Sequence, residues 1–180
     1  MLIGIDEVGR GCLAGPLVIG AVSLDIPLKG LKDSKLVSAK NREILAKEIY
    51  VFADYSALGW VWPHEIDELG LTKATTLAIK RALVGVDHSS VEILIDGNYN
   101  YLPGVNNVKT LINADDTIPS VSAASIIAKV ARDNYMKAMA EYCQDYGFTS
   151  HVGYGTKEHL IKLKILGPSP LHRLSVNLPA

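Results

Sequence analysis

Apolar residues along the chain fall into short continuous runs and into longer stretches with helical spacing. The short runs predict five strands, within residues 2–7, 17–22, 54–62, 91–97 and 105–113. The longer stretches bring apolar side chains back every three or four residues and predict four helices, at about 38–52, 67–86, 119–142 and 156–166. Strands that come first and then alternate with helices predict a single α/β domain over residues 1–180, with a mixed sheet flanked by helices. Its C-terminal part, about 119–173, is expected to be helical.

Composition narrows the class of protein. With 180 residues, 48% of them hydrophobic, the chain can bury a sizeable core and is not of the disordered class. No run of about 18 apolar residues indicates a membrane span, and the N-terminus lacks the pattern of a signal peptide. Cys12 and Cys143 are far apart, which argues against a disulfide scaffold or a structural zinc site. We therefore expect a cytoplasmic protein without membrane association.

Charge alone does not identify a partner, because the formal net charge is only −1. The stretch from Gly147 onward is nevertheless basic and holds three of the five histidines, His151, His159 and His172. On its own, this stretch is interpreted as a solvated surface helix. It gains meaning only if the chain also has a phosphate-handling site.

Two carboxylates, Asp6 and Glu7, follow directly on the first apolar run. Ionised groups in a buried setting are unfavourable unless something positive faces them. An ion pair with Arg10 is one explanation. A functional site is the other, because "IGIDEVG" and "ILIDGN" both place an acid at the carboxyl end of an apolar run, with glycine soon after. If these strands are parallel neighbours, Asp6 and Asp96 meet at the edge where the active sites of open α/β sheets gather.

A third acidic position lies in "NADDTIP", just before the predicted long helix. Four carboxylates could thus converge, and they would repel one another without cations. Oxygen ligands without a histidine or cysteine set suit Mg²⁺ or Mn²⁺ rather than zinc. Two such ions about 3.5–4 Å apart can activate a water and stabilise the leaving oxygen of a phosphodiester. The acids therefore predict two-ion phosphodiester chemistry, with structural ion pairing as the alternative.

A nucleotide-cofactor site is rejected. Gly9, Gly11 and Ala14 match the loose fingerprint GxGxxA after a strand. That fingerprint should open a helix whose N-terminus holds the pyrophosphate. Here Gly15-Pro16 and a β-branched apolar run follow, which predict a second strand.

Six motifs in order carry a resemblance to a known family. They are "GIDEVGRG", "KDSK", "LIDGN", "ADDTIPSVSAASIIAKVARD", "HVGYGTKEH" and "GPSPLHR", and they extend from Gly4 to about Arg173. This set resembles ribonuclease HII, the type 2 ribonuclease H family. The resemblance implies an RNase H-like fold and cleavage of RNA in RNA–DNA hybrids, including single ribonucleotides embedded in duplex DNA. It also implies a cut 5′ of the ribonucleotide that leaves a 3′-hydroxyl and a 5′-phosphate, by a protein that acts as a monomer.

The resemblance also implies roles for individual residues. A two-ion site for Mg²⁺ or Mn²⁺ would be formed by four acids, Asp6, Glu7, Asp96 and Asp115. Counting back from "SAAS" selects Asp115 rather than Asp116. The residues implied in substrate binding are Gly9, Arg10 and Gly11 at the ribose 2′-OH and nearby phosphate, Tyr154 at the sugar that lacks a 2′-OH, and the lysines Lys35 and Lys157. Because glycine lets backbone approach a ligand closely, and because the 2′-OH separates RNA from DNA, the Gly-Arg-Gly assignment is physically consistent.

The chain departs from the family's pattern at three places. Leu36 stands where relatives usually carry a second lysine, Val152 stands where many have lysine, and "HRLSV" replaces the usual ending. These changes remove positive charge or C-terminal anchoring, so we expect weaker phosphate affinity than is typical.

Two rival functions remain to be compared with a ribonuclease. A non-catalytic nucleic-acid-binding module is disfavoured by the intact acids. A nuclease without ribonucleotide selectivity is disfavoured by the Gly-Arg-Gly stretch together with Tyr154. On the predicted long helix, Ser125, Lys129 and Arg132 recur at helical spacing. They are interpreted as a solvated face, with a phosphate contact of Lys129 or Arg132 as the alternative.

Overall fold

A five-stranded mixed sheet forms the centre of the protein. The computed structural model describes residues 1–26, 28–31 and 37–176. The strands are β1 (Leu2–Val8), β2 (Leu17–Ser23), β3 (Tyr55–Val61), β4 (Glu92–Asp96) and β5 (Val108–Leu111). Their order in the sheet is β3-β2-β1-β4-β5. β1 pairs antiparallel with β2, and β2 with β3, whereas β1, β4 and β5 are parallel. The predicted mixed sheet is confirmed.

Six helices accompany the sheet in the part of the chain that the structure describes. They are α1 (Ala39–Phe52), α2 (Pro63–Leu69), α3 (Leu71–Ala82), α4 (Pro119–Met139), α5 (Phe148–His151) and α6 (Lys157–Leu166). The prediction of one helix over 67–86 is wrong, because Gly70 adopts a φ of +73° and separates α2 from α3. The helical character of the C-terminal part is confirmed. None of the helices described here has the length and apolar character that crossing a membrane requires.

The two faces of the sheet are covered by different helices. On one face, α2 and α3 pack with Ile66, Ala78 and Ile79 against Ile5 and Ile19 of the strands. On the other face, α1 and α4 pack around a second cluster that includes Val22, Ile49, Ala123, Ala124 and Ile127. Both faces of the central strands are therefore buried, which explains their continuous apolar runs.

Helix α4 lies unusually close to the backbone of the central strands. A Cβ atom added at Gly4 would lie 2.4 Å from the backbone of Ser120 and Val121, and one added at Gly20 would lie 2.2 Å from the carbonyl oxygen of Ala124. Only glycine fits at these two strand positions. The close contact fixes α4 across β1 and β2, so its next turns pass over the carboxyl end of β1.

Candidate active site

The acids of β1 and β4 lie at the same edge of the sheet. The parallel register pairs Ile5 with Ile95, so that Asp6 and Asp96 follow as neighbours where the pairing of β1 with β4 ends. The Asp6 carboxylate accepts a hydrogen bond from the backbone N–H of Glu7 at 2.7 Å. The Asp96 carboxylate accepts one from the backbone N–H of Ala114, also at 2.7 Å. The backbone thus orients both carboxylates before any ligand is present.

A cavity of about 500 Å³ opens at this edge. It is lined by Asp6, Glu7, Val8, Gly9, Arg10, Gly11, Asp96, Ser125, Lys129 and Tyr154. Segments far apart in the chain therefore meet in one concave site: the end of β1 and its following loop, the end of β4, helix α4, and the loop before α6. Most of the residues that the sequence predicted for metal and substrate binding are among them.

Asp6 has a strongly shifted pKa. Its side chain is buried, with 7% exposed. Burial, together with the charges of Glu7 and Asp96, raises the pKa of Asp6 from 3.8 to about 7, although hydrogen bonds with the Ser125 side chain and the Glu7 backbone lower it in part. The site therefore favours either a proton on Asp6 or a cation beside it.

The chemistry of the donors fits a hard divalent cation. The cavity offers carboxylate oxygens and a serine hydroxyl, which are the ligand types that Mg²⁺ and Mn²⁺ take. Within the described ranges, no three histidine, cysteine, aspartate or glutamate side chains already form a closed metal-ligand group. The acids line the cavity as a loose, mutually repulsive set.

Asp115 is not among the residues that line the cavity. It belongs to a short 3₁₀ turn, Ala114–Asp116, and is 6% exposed, whereas Asp116 is exposed. Its backbone carbonyl accepts a hydrogen bond from the Ser122 hydroxyl, which fixes the turn to the start of α4. The turn is also attached to Asp96, through the N–H of Ala114. Asp115 therefore follows directly on the residue that orients Asp96.

Arg10 forms the ion pair that the sequence left open as an alternative. Its guanidinium lies 3.8 Å from the Glu7 carboxylate, with about 40% of the arginine side chain exposed. It also donates a hydrogen bond to the Tyr101 hydroxyl. An ion pair this long and this exposed contributes little to stability. The ion pair is therefore present, and the guanidinium stays partly exposed at the rim of the cavity.

The two glycines around Arg10 differ in their surroundings. Gly9 has a φ of +91°, and a Cβ atom there would lie 2.3 Å from Nε of Arg132. Gly11 has no such neighbour within 4 Å and no positive φ. Packing alone explains Gly9, whereas Gly11 is an exposed stretch of backbone beside the cavity.

Tyr154 presents a half-exposed ring to the cavity, with 38% of the residue accessible. Lys129 Nζ lies 5.4 Å from the ring centroid, and the Arg132 guanidinium carbon lies 5.7 Å from it. Burial of the hydroxyl raises the pKa of Tyr154 to about 12, so the ring stays neutral at physiological pH. A neutral ring backed by two cations is suited to packing on a sugar or base.

Four other residues singled out in the sequence do not line the cavity or lie outside the residues that the structure describes. Lys157 is exposed at the first position of α6 and does not line the cavity. Lys35 and Leu36 lie outside the described residues. Val152 is buried, with a φ of +42° that β-branched residues rarely adopt.

The interpretation of Ser125, Lys129 and Arg132 as a solvated face is wrong. Ser125 is 2% exposed and Arg132 0% exposed, while Lys129 is half-buried and pairs with Asp133 at 2.9 Å. The signal for this burial is the run of small residues at 122–125, which lets α4 pack closely on the sheet in a region where residues on every face of the helix are buried. A search for large apolar residues at helical spacing overlooks such a face.

Comparison with known proteins gives a consistent result. The family model described as Ribonuclease HII matches residues 3–177. Ribonuclease HII of Nitrosococcus oceani is 45% identical over 174 residues, covering 96% of this chain and 86% of that protein.

Two solved archaeal structures are also similar. Ribonuclease H2 from Pyrococcus horikoshii OT3 superposes with a TM-score of 0.79 at 26% identity, covering 98% of this chain and 94% of that one. RNase HII from Archaeoglobus fulgidus, solved in complex with PCNA, gives a TM-score of 0.77 at 28% identity, with 96% and 92% covered.

Proposed function

Because the chain belongs to the ribonuclease HII family and is an endoribonuclease, we propose that it is metal-dependent and selective for ribonucleotides. It hydrolyses the phosphodiester 5′ of a ribonucleotide, both in RNA–DNA hybrids and at single ribonucleotides in duplex DNA. It acts as a monomer. The supporting observation is that Asp6 and Asp96 lie just after the last paired residues of the neighbouring parallel strands β1 and β4, in a cavity that also contains Arg10, Gly11 and Tyr154.

The acidic residues of the site would bind the metal ions. Asp6, Glu7, Asp96 and Asp115 would hold two ions, Mg²⁺ or Mn²⁺, which when bound supply activation of a water and stabilisation of the departing 3′ oxygen. The backbone N–H groups that orient the Asp6 and Asp96 carboxylates support this location for the ions.

The rim groups would select the substrate. Arg10 offers N–H donors to the phosphate. The open backbone at Gly11 admits a sugar closely enough to meet its 2′-OH, which only a ribonucleotide carries. The ring of Tyr154 would pack on the neighbouring sugar and crowd a second 2′-OH. The products would be a 3′-hydroxyl and a 5′-phosphate.

The test uses three labelled substrates: a DNA duplex with one ribonucleotide, an RNA–DNA hybrid, and an all-DNA duplex of the same sequence. Each is incubated with Mg²⁺, with Mn²⁺ and with a chelator. We expect cleavage of the first two only, and only with a divalent ion. Binding without cleavage would favour a non-catalytic module, and equal cleavage of all three would favour a nuclease without ribonucleotide selectivity.

Tyr154→Ala is expected to impair cleavage at a single ribonucleotide more than cleavage within a long RNA strand. The ring would recognise a deoxyribose, which only the single-ribonucleotide substrate places there. Stacking contacts of this kind contribute roughly 1–3 kcal/mol, or between several-fold and about a hundredfold in rate. The measurement is kcat/KM on both substrates.

Lys157→Ala provides the control for Tyr154→Ala. Lys157 is an exposed cation on α6. If it contacts a phosphate, Lys157→Ala should weaken the binding of both substrates by a similar factor and reduce the salt dependence of binding. If Tyr154→Ala lowers both activities by the same factor, its ring is a packing group and the selectivity resides elsewhere.

Gly11→Ala and Gly9→Ala are expected to separate substrate approach from packing. Gly11→Ala should fold with an unchanged melting temperature, because its Cβ meets nothing within 4 Å. Losing a backbone contact to the ribose should lower kcat/KM by roughly five- to a hundredfold, equivalent to about 1–3 kcal/mol. Gly9→Ala should instead lower the melting temperature, since it collides with Arg132. Full activity of Gly11→Ala would show that the ribose does not approach there.

A further inference from the structure

Two arginines that are bound to the loops of the cavity are completely buried. Arg132 of α4 and Arg173 near the C-terminus are both 0% exposed. Burying a guanidinium is unfavourable unless its N–H groups find partners. In both residues those partners are backbone carbonyls of the loops that form the rim.

Arg132 joins two of these loops. Its Nε donates to the carbonyl of Pro16 at 2.8 Å, and Nη2 donates to that of Ala14 at 3.0 Å. These carbonyls belong to the loop after β1, residues 9–16, which we name the rim loop. Its Nη1 donates at 2.8 Å to the carbonyl of Val152, in the segment 152–156 that carries Tyr154 and that we name the tyrosine loop. The same guanidinium lies 5.7 Å from the Tyr154 ring centroid.

Arg173 holds only the rim loop. Its Nε and Nη2 donate to the Gly15 carbonyl at 3.0 and 2.8 Å, and Nη1 donates to the Arg10 carbonyl at 3.1 Å. Arg173 therefore matches Arg132 in burial and in kind of partner, but its hydrogen bonds do not include the tyrosine loop.

The guanidinium of Arg132 is closely packed against the rim loop. A Cβ atom at Gly9 would lie 2.3 Å from its Nε, and one at Gly15 would lie 3.1 Å from its Nη2. A shift of this group therefore moves the rim loop, the tyrosine loop or the ring above it.

We propose that Arg132 is a positioning residue that holds the Tyr154 ring in the orientation needed to distinguish a single ribonucleotide from a continuous RNA strand. The inference rests on the proposed role of Tyr154 and extends it to a residue that has no access to substrate. The planar fork is essential: three donors in fixed directions reach three carbonyls while one face stays beneath the ring. Lysine carries the same charge but cannot reproduce that fork.

The variant for the test is Arg132→Lys. Arg132→Ala would leave three buried carbonyls without donors and can fail to fold, whereas Arg132→Lys keeps a cation in place. We measure kcat/KM on the single-ribonucleotide duplex and on the hybrid, well below the melting temperature of each variant. Arg132→Lys is expected to lower the ratio of the two by about tenfold, the scale of a lost stacking contact.

A double-mutant cycle separates positioning from general destabilisation. If Arg132 acts through the ring, Arg132→Lys should change the ratio by less than about twofold in a Tyr154→Ala background, since coupled residues are not additive. Arg173→Lys is the matched control. Arg173→Lys should lower kcat/KM on both substrates by a similar factor, both in the wild-type background and in the Tyr154→Ala background.

The outcomes are distinct. A ratio unchanged by Tyr154→Ala alone would overturn the role proposed for the ring, and the inference with it. A ratio that responds to Tyr154→Ala but is unchanged in Arg132→Lys, or falls equally in both backgrounds, would overturn only the positioning role. If Arg173→Lys showed the same coupling to Tyr154, the positioning role of Arg132 would also be overturned. The change in the ratio would then be a general consequence of replacing a buried arginine.

Discussion

Asp6→Asn is expected to abolish cleavage and, at the same time, to raise the stability of the metal-free protein. Removing a charged ligand from the proposed ion site should lower kcat by at least about a hundredfold, because metal stabilisation of the transition state contributes several kcal/mol. Asparagine keeps the carbonyl oxygen that accepts the Glu7 N–H, so the strand end should stay intact.

The stability effect has a defined sign. The pKa of Asp6 is raised in the folded protein from 3.8 to about 7, so ionisation opposes folding. This cost is absent below about pH 4, grows as pH rises through the interval, and is complete above pH 7, where it amounts to up to roughly 4 kcal/mol. With a chelator present, the melting temperature of Asp6→Asn should therefore exceed that of the wild type at pH 8 and approach it at pH 4.

Asp96→Asn extends the same argument, and Asp145→Asn is its control. Asp96→Asn keeps an acceptor for the Ala114 N–H and should lose cleavage as Asp6→Asn does. Asp145 is an exposed acid in a short 3₁₀ turn, Gln144–Tyr146, of the C-terminal part, and its variant should keep full activity. Near-normal cleavage by Asp96→Asn would remove Asp96 from the catalytic set. A higher melting temperature at pH 4 but not at pH 8 for Asp6→Asn would contradict the electrostatic account.

Asp115→Asn is expected to be at least about tenfold more damaging to kcat than Asp116→Asn, which amounts to about 1.4 kcal/mol of transition-state stabilisation. Asp115 is buried and follows the residue whose N–H orients Asp96, whereas Asp116 is exposed. Melting temperatures of both variants show whether loss of activity reflects loss of fold. The opposite order of kcat would show that the fourth acid is Asp116 and that the motif alignment is displaced by one residue.

Much of the site follows from local patterns in the sequence. Asp6 and Asp96 each end an apolar run, and their meeting requires only that two buried strands be parallel neighbours, which the register of β1 and β4 provides. Ionised groups at the end of a core strand are unfavourable enough to be informative on their own. The Gly-Arg-Gly stretch and Tyr154 were recognised from motifs, and the fold brings them to the same cavity.

The helix boundaries show where local pattern is insufficient. Apolar spacing continues through residues 67–86, but the φ of +73° at Gly70 divides this stretch into α2 and α3. Glycine permits such a turn without requiring it, so the break depends on how the helices pack against the sheet.

The C-terminal histidines show the same limit. Along the sequence, His151, His159 and His172 belong to a basic stretch. In the fold they are buried together, with the His159 and His172 Nε2 atoms 3.0 Å apart and the rings of His151 and His159 stacked at 4.3 Å. Burial, with the neighbouring His159, lowers the pKa of His172 to about 4, so it is neutral at physiological pH. The three rings are therefore part of the core, and His172 brings no positive charge to a phosphate.

The sequence by itself determined the elements that short-range patterning encodes: the five strands, the acids at their ends and the glycine-rich loop beside them. The tertiary structure alone decided what Arg132 does. Its spacing on α4 is that of a solvated residue, yet its guanidinium lies between carbonyls of residues 14, 16 and 152. The physical reason is that hydrophobic periodicity indicates only which apolar side chains of one helix are buried. The hydrogen-bond partners of a buried charge come from segments distant in the chain, which local spacing does not encode.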